Sequence, residues 1–352
     1  MDRFKHLNPS LEKMVHYATQ HTAHRQLIPN HSIHRDNILI RKDEASRILC
    51  HKNSCVQLFK RAYHSHTHYI MKVIVLASGS TGNCIYVQGS SGAIFIDAGR
   101  SGKELLGTKK EQGLAERAGC KLNMIEGVFV THEHTDHIRG LRPVCSRLNI
   151  PAYGTAGTLT AYTKKYSGAK LPKCTCITRG ESVEVAGLHI EAFSVSHDAA
   201  DPCGYMITDG DLRLGYCTDT GYISSTMQET LSHADALILE SNHCPDMLKY
   251  GTYPAFLKAR IASHLGHLSN PAATELISTL ANDLDSVILA HISEENNDPM
   301  LALETADASC KNDDLNLFAA STIPTKPACI RESGRECCIF KQEAWKYTID
   351  LV

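Results

Sequence analysis

Residues 128–137 read Val-Phe-Val-Thr-His-Glu-His-Thr-Asp-His, an apolar run that ends directly on four potential metal ligands. The apolar run predicts a short buried strand. The turn after it carries His132, His134, Asp136 and His137. Imidazole and carboxylate groups are ligands of Zn, Mn, Fe and Co in proteins. The ordered pattern HxHxDH after a strand therefore predicts a metal site, which is more specific than one or two isolated histidines.

Other predicted strands also end on ionisable residues. The residues that follow such strands are Asp97, His197, Asp219, Glu240 and His291. Strands alternate with helical patterns, which predicts an α/β fold with its polar residues gathered at one rim of the sheets. The helical patterns include a helix over 102–118, and a helix near residue 270 with Asn270 as its N-cap.

The composition is that of a soluble globular protein. The 352 residues are 43% hydrophobic and 21% charged, with a formal net charge of -2. This balance excludes a global basic field, so a nucleic acid would be held locally. The 14 cysteines show no paired spacing, and no signal peptide or membrane-length apolar run is visible. We therefore expect reduced thiols, a cytoplasmic location and no membrane partner.

The chain divides into three segments by pattern. Residues 1–70 contain ten of the 20 histidines but little apolar periodicity. We interpret them as a poorly structured or atypical extension, with a metal-gathering or nucleic-acid arm as the alternative. Residues 71–325 form the predicted metallo-hydrolase domain, and residues 326–352 form a tail of unclear role.

The run from His132 to His137 resembles the signature of the metallo-β-lactamase superfamily. This resemblance implies a four-layer αββα sandwich and two divalent metal ions, with Zn or Mn expected. It implies that one metal is held by His132, His134 and His197, and the other by Asp136, His137 and His291. Asp219 would bridge the two metals, Asp97 would brace the histidine turn, and Glu240 is a second candidate for such support, or else a cap or a surface ion pair. Two such metals activate a bound hydroxide as the nucleophile.

Further motifs resemble the bacterial YycJ/WalJ group of this superfamily, over residues 71–325. The matching segments are residues 78–84, 196–202, 218–221, 240–243, 266–270 and 291–297. This resemblance implies a phosphodiesterase, a 5′-3′ exonuclease that acts on DNA. The expected catalytic residues are Asp136 and His267, with His267 protonating the leaving oxygen or contacting phosphoryl oxygens. Alternatively, His267 is the last metal ligand and His291 the helper, or His267 is a structural residue at a helix start.

Candidate substrate contacts are less specific. Ser80 and Asn83 lie in a Gly-rich turn that would either contact a phosphate or simply connect two strands. His243 is a candidate for the lining of the cleft. Lys258 and Arg260 would either steer a DNA backbone or occupy an exposed helix face.

Competing functions use the same metals. The alternatives are hydrolysis of a small ester, thioester or cyclic phosphodiester, and a non-catalytic metal-binding regulator. A flavodiiron-type redox protein is disfavoured, because such proteins typically have Glu at the position of His134 and carry a flavin domain. The sequence leaves the metal, the polarity of digestion and the oligomeric state open.

Overall fold

The first strand of the fold is apolar on both of its faces. In β1 (Met71–Ala77) of the computed structural model, Val73 and Val75 face one hydrophobic cluster, whereas Ile74 and Leu76 face another. Successive side chains of a strand point to opposite faces, so a strand that is apolar on both faces is covered on both. This pattern places the sheets in the interior of the molecule.

The structure describes residues 71–310, 312, 315–320 and 347–351, which all lie in one compact unit, Ser65–Val352. The predicted extension over residues 1–70 lies outside the described residues. Of the predicted tail, residues 347–351 form a strand, β14 (Tyr347–Leu351), that pairs antiparallel with β1.

Two seven-stranded mixed sheets form the core of the fold. The first has the order β14-β1-β2-β3-β4-β5-β6, with β2 (Cys84–Gln88), β3 (Ala93–Ile96), β4 (Ile125–Phe129), β5 (Ala152–Gly154) and β6 (Cys174–Cys176). The second has the order β13-β12-β11-β10-β9-β8-β7, with β7 (Ser182–Val185), β8 (Leu188–Ser194), β9 (Cys203–Asp209), β10 (Leu212–Cys217), β11 (Ala236–Glu240), β12 (Ser286–Ala290) and β13 (Asn316–Ala319). Strands β3 to β6 run parallel in the first sheet, and β10 to β13 run parallel in the second.

Helices cover the outer face of each sheet. In chain order, the α-helices of the described residues are α1 (Gly102–Leu106), α2 (Leu114–Arg117), α3 (Thr135–Ile138), α4 (Leu141–Leu148), α5 (Ala156–Lys165), α6 (Ser225–Leu231), α7 (Pro245–Tyr250), α8 (Ala255–Ile261), α9 (Asn270–Leu280) and α10 (Pro299–Ser309). One cluster joins the facing sides of the two sheets, a second packs α1 and α4 on the first sheet, and a third packs α9 and α10 on the second. These layers confirm the expected four-layer αββα sandwich.

Two local predictions are wrong. The helix predicted over 102–118 is split into α1 and α2, because the chain turns at Gly107, which has a φ of 71°. Glycine adopts this left-handed conformation without steric cost. Helix α9 is capped by Ser269, whose side chain accepts a hydrogen bond from Ala272 N, and not by Asn270. The Asn270 side chain instead bonds to Ser241 and Asn297.

Candidate metal centre

Strands of both sheets deliver ionisable residues to a common rim. In the first sheet, Asp97 follows β3 and His132 follows β4; in the second, His197, Asp219 and His291 follow β8, β10 and β12, and Glu240 is the last residue of β11. Carboxyl ends of strands in α/β sheets commonly form ligand sites. The structure therefore brings together residues that are far apart in sequence, as the strand pattern predicted.

Three of these residues have an unusual backbone. Asp97, Asp219 and His291 have φ values of 59°, 57° and 53°. This left-handed region is uncommon for residues other than glycine, and such strain collects at functional sites. At all three positions, the turn after the strand directs the side chain into the buried cluster.

The first group of potential ligands consists of His132, His134 and His197. One ligand atom of each lies within 4.8 Å of the others. His197 Nδ1 donates to the carbonyl oxygen of Gly266 at 3.0 Å, which leaves Nε2 to face the cluster, 3.3 Å from His134 Nδ1. His132 Nδ1 lies 3.0 Å from Thr131 Oγ1, so its Nε2 faces the cluster too.

The second group consists of Asp136, His137 and His291, again with ligand atoms within 4.8 Å of one another. His137 Nδ1 donates to Asp97 Oδ2 at 2.7 Å, and His291 Nδ1 donates to Glu240 Oε1 at 3.0 Å. A carboxylate on Nδ1 fixes the tautomer and the orientation of a ligand histidine. Both rings therefore direct Nε2 toward Asp136 Oδ2, at 3.5 Å from His137 and 3.8 Å from His291.

Asp219 lies between the two groups. Its Oδ2 is 3.3 Å from His137 Nε2, and its Oδ1 is 3.4 Å from His291 Nε2 and 3.9 Å from His197 Nε2. Its side chain is only 3% exposed, so solvent contributes little to its solvation. This is the position that a bridging carboxylate would occupy.

Several atoms in the cluster fit a bound cation. His132 Nε2, His291 Nε2 and Asp219 Oδ2 are buried and have no hydrogen bond from the described residues. A buried polar atom without a partner is costly, and a cation offsets that cost. Burial and the neighbouring imidazoles hold the pKa of His132 well below its usual range, which keeps that ring neutral and able to ligate. The donor set is the one that first-row divalent metals and zinc accept.

Glu240 accepts hydrogen bonds from two histidines, His267 and His291. Its Oε1 accepts from His267 Nδ1 at 2.8 Å and from His291 Nδ1 at 3.0 Å, and its Oε2 accepts from the backbone N of Thr220 and Leu268. Burial alone would raise the pKa of this carboxyl, but the two histidines outweigh it and lower the pKa below its usual range. Glu240 is thus a buried carboxylate that orients both rings.

His267 and His291 have different surroundings. His291 shares a group with Asp136 and His137, whereas His267 shares one with Asp219, Glu240 and His291. The two rings stack with centroids 5.2 Å apart. His267 is also more open, with a side chain 15% exposed against 3% for His291. Of the two rings, that of His267 is therefore the more accessible to solvent.

A family model described as the beta-lactamase superfamily domain matches residues 93–292. This range contains every member of the two ligand groups. The chain belongs to the beta-lactamase superfamily.

Curated members of this superfamily share substantial identity with the chain. The Bacillus anthracis protein named exodeoxyribonuclease YycJ is 36% identical over 229 residues, which cover 65% of this chain and 84% of that protein. The exodeoxyribonuclease WalJ of Streptococcus pneumoniae is 36% identical over 234 residues, covering 66% and 85%. The chain is therefore homologous to these exodeoxyribonucleases.

A solved structure shows the same superfamily fold. The metallo-β-lactamase fold protein YhfI from Bacillus subtilis matches with a TM-score of 0.55 at 15% identity, over 80% of this chain and 99% of that one.

Among the described residues, no helix has the length and apolar character needed to cross a membrane.

The candidate substrate contacts of this superfamily member lie at different depths. Ser80 is exposed in the turn between β1 and β2. Asn83 is buried, its backbone N donates to Asp136 O, and its Nδ2 lies 3.0 Å from His137 Nε2. His243 is 4% exposed, and burial lowers its pKa to about 4. The structure therefore places Asn83 against the histidine turn, beside the nitrogen with which His137 would bind a metal.

Sequence reasoning missed the role of several residues that hold the ligands. Ser78 Oγ accepts a hydrogen bond from His291 N at 2.7 Å, and Asn242 Nδ2 donates to His291 O at 2.8 Å. Thr131 donates from Oγ1 to Asp97 Oδ2 at 2.9 Å. Thr131 adjoins His132, and this adjacency is the one signal that would have found it.

An exposed ion pair lies beside the first group. Asp198 Oδ1 is 3.4 Å from His197 Nε2 and 4.0 Å from His134 Nε2. Arg260 donates to both oxygens of Asp198, from Nε at 2.6 Å and from Nη2 at 3.0 Å. Burial would raise the pKa of Asp198, but the hydrogen bonds from Arg260 outweigh it and lower the pKa.

Proposed function

We propose that this protein is a metal-dependent exodeoxyribonuclease that removes nucleotides from the 5′ end of DNA. The observation that carries the proposal is the homology to YycJ and WalJ over most of their length. The two ligand groups and the more open His267 beside them support a phosphodiester substrate. The buried thiols of Cys84, Cys203 and Cys217 agree with a reducing cytoplasm.

Two divalent ions, Zn or Mn, are the proposed cofactors. One ion would be held by His132, His134 and His197. The other would be held by Asp136, His137 and His291. Asp219 would contact both ions. When bound, such a pair activates water and neutralises charge on the phosphate. Asp97 and Glu240 orient the second group through the Nδ1 atoms of its histidines.

His267 is the proposed general acid. Its Nδ1 is committed to Glu240, so the proton that can be transferred is on Nε2. As the bond between phosphorus and the leaving sugar oxygen breaks, that proton would neutralise the alkoxide. Ser80 and His243 remain candidate substrate contacts, whereas Asn83 is proposed to hold the turn.

A panel assay on the purified full chain tests the function. The substrates are bis-p-nitrophenyl phosphate, duplex DNA labelled at the 5′ or the 3′ end, and a thioester, each with Mn or Zn. We expect labelled mononucleotides to be released from the 5′-labelled DNA before they are released from the 3′-labelled DNA. Turnover of the thioester alone would overturn the nuclease proposal, and 3′ release first would overturn its polarity.

A further inference from the structure

Helix α8 presents an exposed aromatic ring and an exposed cation on one face. Phe256 and Arg260 are four residues apart, so they are neighbours on the helix surface. Phe256 is 76% exposed, and the Arg260 side chain is 48% exposed. An apolar ring this exposed has no role in the core, and it lies one turn from a charged group.

This face is connected to the ligand cluster through a single side chain, Asp198. Arg260 is bonded to Asp198, whose carboxylate is 3.4 Å from His197 Nε2. Asp198 N donates to the carbonyl oxygen of Leu265, which is itself 53% exposed. The Asp198 carboxylate thus lies between the guanidinium and the first ligand group.

A second aromatic ring lies near the same segment. Tyr222, 42% exposed, packs edge-on against His264 with ring centroids 5.2 Å apart. We call Tyr222, Phe256, Arg260 and Leu265 the rim face. A rim of aromatic rings with a cation is the arrangement that binds single-stranded nucleic acid, by stacking and by charge.

We propose that the rim face binds the DNA strand next to the scissile phosphate, with Arg260 on the adjacent phosphate and Phe256 stacked on a base. The inference rests on the proposed nuclease function and names the surface that would select a polynucleotide. The exposed guanidinium favours this occupant, because it binds the two oxygens of Asp198 and would bind two phosphate oxygens with the same geometry. Arginine suits both because its planar fork fits carboxylate and phosphate alike.

The chain provides a matched control for each residue. Lys258 lies on α8 two residues from Phe256 and Arg260, on the other side of the helix, where its Nζ donates to Lys249 O. Tyr250 is 75% exposed, as much as Phe256, and Lys249 Nζ lies over its ring. Neither control side chain belongs to the rim face.

The test measures binding of a fluorescein-labelled single-stranded oligonucleotide to the full chain in EDTA, by anisotropy, over a range of salt concentrations. Arg260→Ala should weaken binding and reduce the slope of log K against log salt by about 0.7, the loss of one phosphate contact. Phe256→Ala should weaken binding by about 5- to 150-fold, and Phe256→Trp should restore it. Lys258→Ala and Tyr250→Ala should match the wild type.

The outcomes separate this inference from the proposed function. A wild type that degrades DNA, with Arg260→Ala and Phe256→Ala binding like their controls, overturns the rim face alone. If Arg260→Ala and Phe256→Ala weaken binding as expected but the wild type hydrolyses no phosphodiester, the nuclease proposal alone is overturned. If Phe256→Ala converts a dimer to a monomer in light scattering and leaves binding unchanged, the face joins two copies of the chain and the inference is wrong.

Discussion

Asp97 Oδ2 accepts a hydrogen bond from His137 Nδ1 at 2.7 Å, and both side chains are fully buried. Asp97 also accepts from the backbone N of Thr131 at 2.9 Å. One carboxylate therefore orients a ligand ring and fixes the strand end that precedes the histidine turn. The opposite sheet has a counterpart, in which Glu240 holds His291.

Replacement of Asp97 by Asn should weaken the second metal site. The amide cannot supply the negative charge that orients His137, and loss of such a partner typically lowers metal affinity or activity 10- to 100-fold. Competition with a fluorescent chelator measures the affinity. Asp209→Asn is the matched control, because Asp209 is equally buried but bonds to Ser90. Equal affinities for the two variants would contradict the role of Asp97.

Asp136→Ala and His267→Ala should have separate effects. Asp136→Ala should lose bound metal together with activity, because it removes a ligand. His267→Ala should keep the metal content and lose about 10²- to 10⁴-fold in rate, the usual contribution of a general acid. Elemental analysis and single-turnover kinetics measure the two quantities. Loss of a metal equivalent from His267→Ala would make His267 a ligand and reverse the assignment.

Metal binding should release protons. In the metal-free protein, burial lowers the pKa of His291, but Asp219, Asp136 and Glu240 outweigh it and raise the pKa from 6.5 to about 10. The proton on His291 must therefore leave near pH 7 before Nε2 can bind a metal. Calorimetry in two buffers with different ionisation enthalpies should give different apparent enthalpies, and affinity should rise with pH. Identical enthalpies would refute this.

The same pKa shift predicts how the stability of the metal-free protein depends on pH. A folded-state pKa above the unfolded value stabilises the fold fully below about pH 6.5, and this stabilisation is lost as pH rises toward about 10. The Tm of the EDTA-treated protein should therefore fall between pH 7 and 10. His291→Gln should show a smaller fall, since it lacks the titrating ring. An unchanged slope in that variant would assign the effect elsewhere.

Deletion of residues 1–70 should leave metal content and DNA degradation unchanged. The ligands, the residues that orient them and the rim face all lie after Met71. Rates of the full chain and the truncated chain, compared at equal metal content, measure the effect. A truncated chain that folds, as shown by a cooperative melt, but is inactive would give the histidine-rich segment a function.

The fold was predictable where apolar strands end on ionisable residues. Those strands predicted the α/β class and the first ligands, and the resemblance carried by the run from His132 to His137 predicted the four layers. The hydrogen bonds that orient the ligands were not predictable, because partners such as Asn242 and His291 meet only after the second sheet has formed. The turn at Gly107 was missed because its helical flanks mask a single left-handed residue.

Roles within the cluster were also only partly predictable. Because His291 directly follows a predicted strand, the sequence favoured it over His267 as the ligand. The structure places His291 with Asp136 and His137. The carboxylate that holds both rings, Glu240, was named without its contacts. Arg260 was ambiguous, since its partner Asp198 is 62 residues away in sequence.

The hydrogen bond from His291 N to Ser78 Oγ joins residues separated by 213 positions. Contacts of such long separation close large loops and tend to form late in folding. In a chain that has folded only its first sheet, His132 and His137 would be in place but His197 and His291 would not. Such a chain would bind metal weakly. Tight metal uptake is therefore a readout of completed folding, and a pulse of metal during refolding would report when the two halves meet.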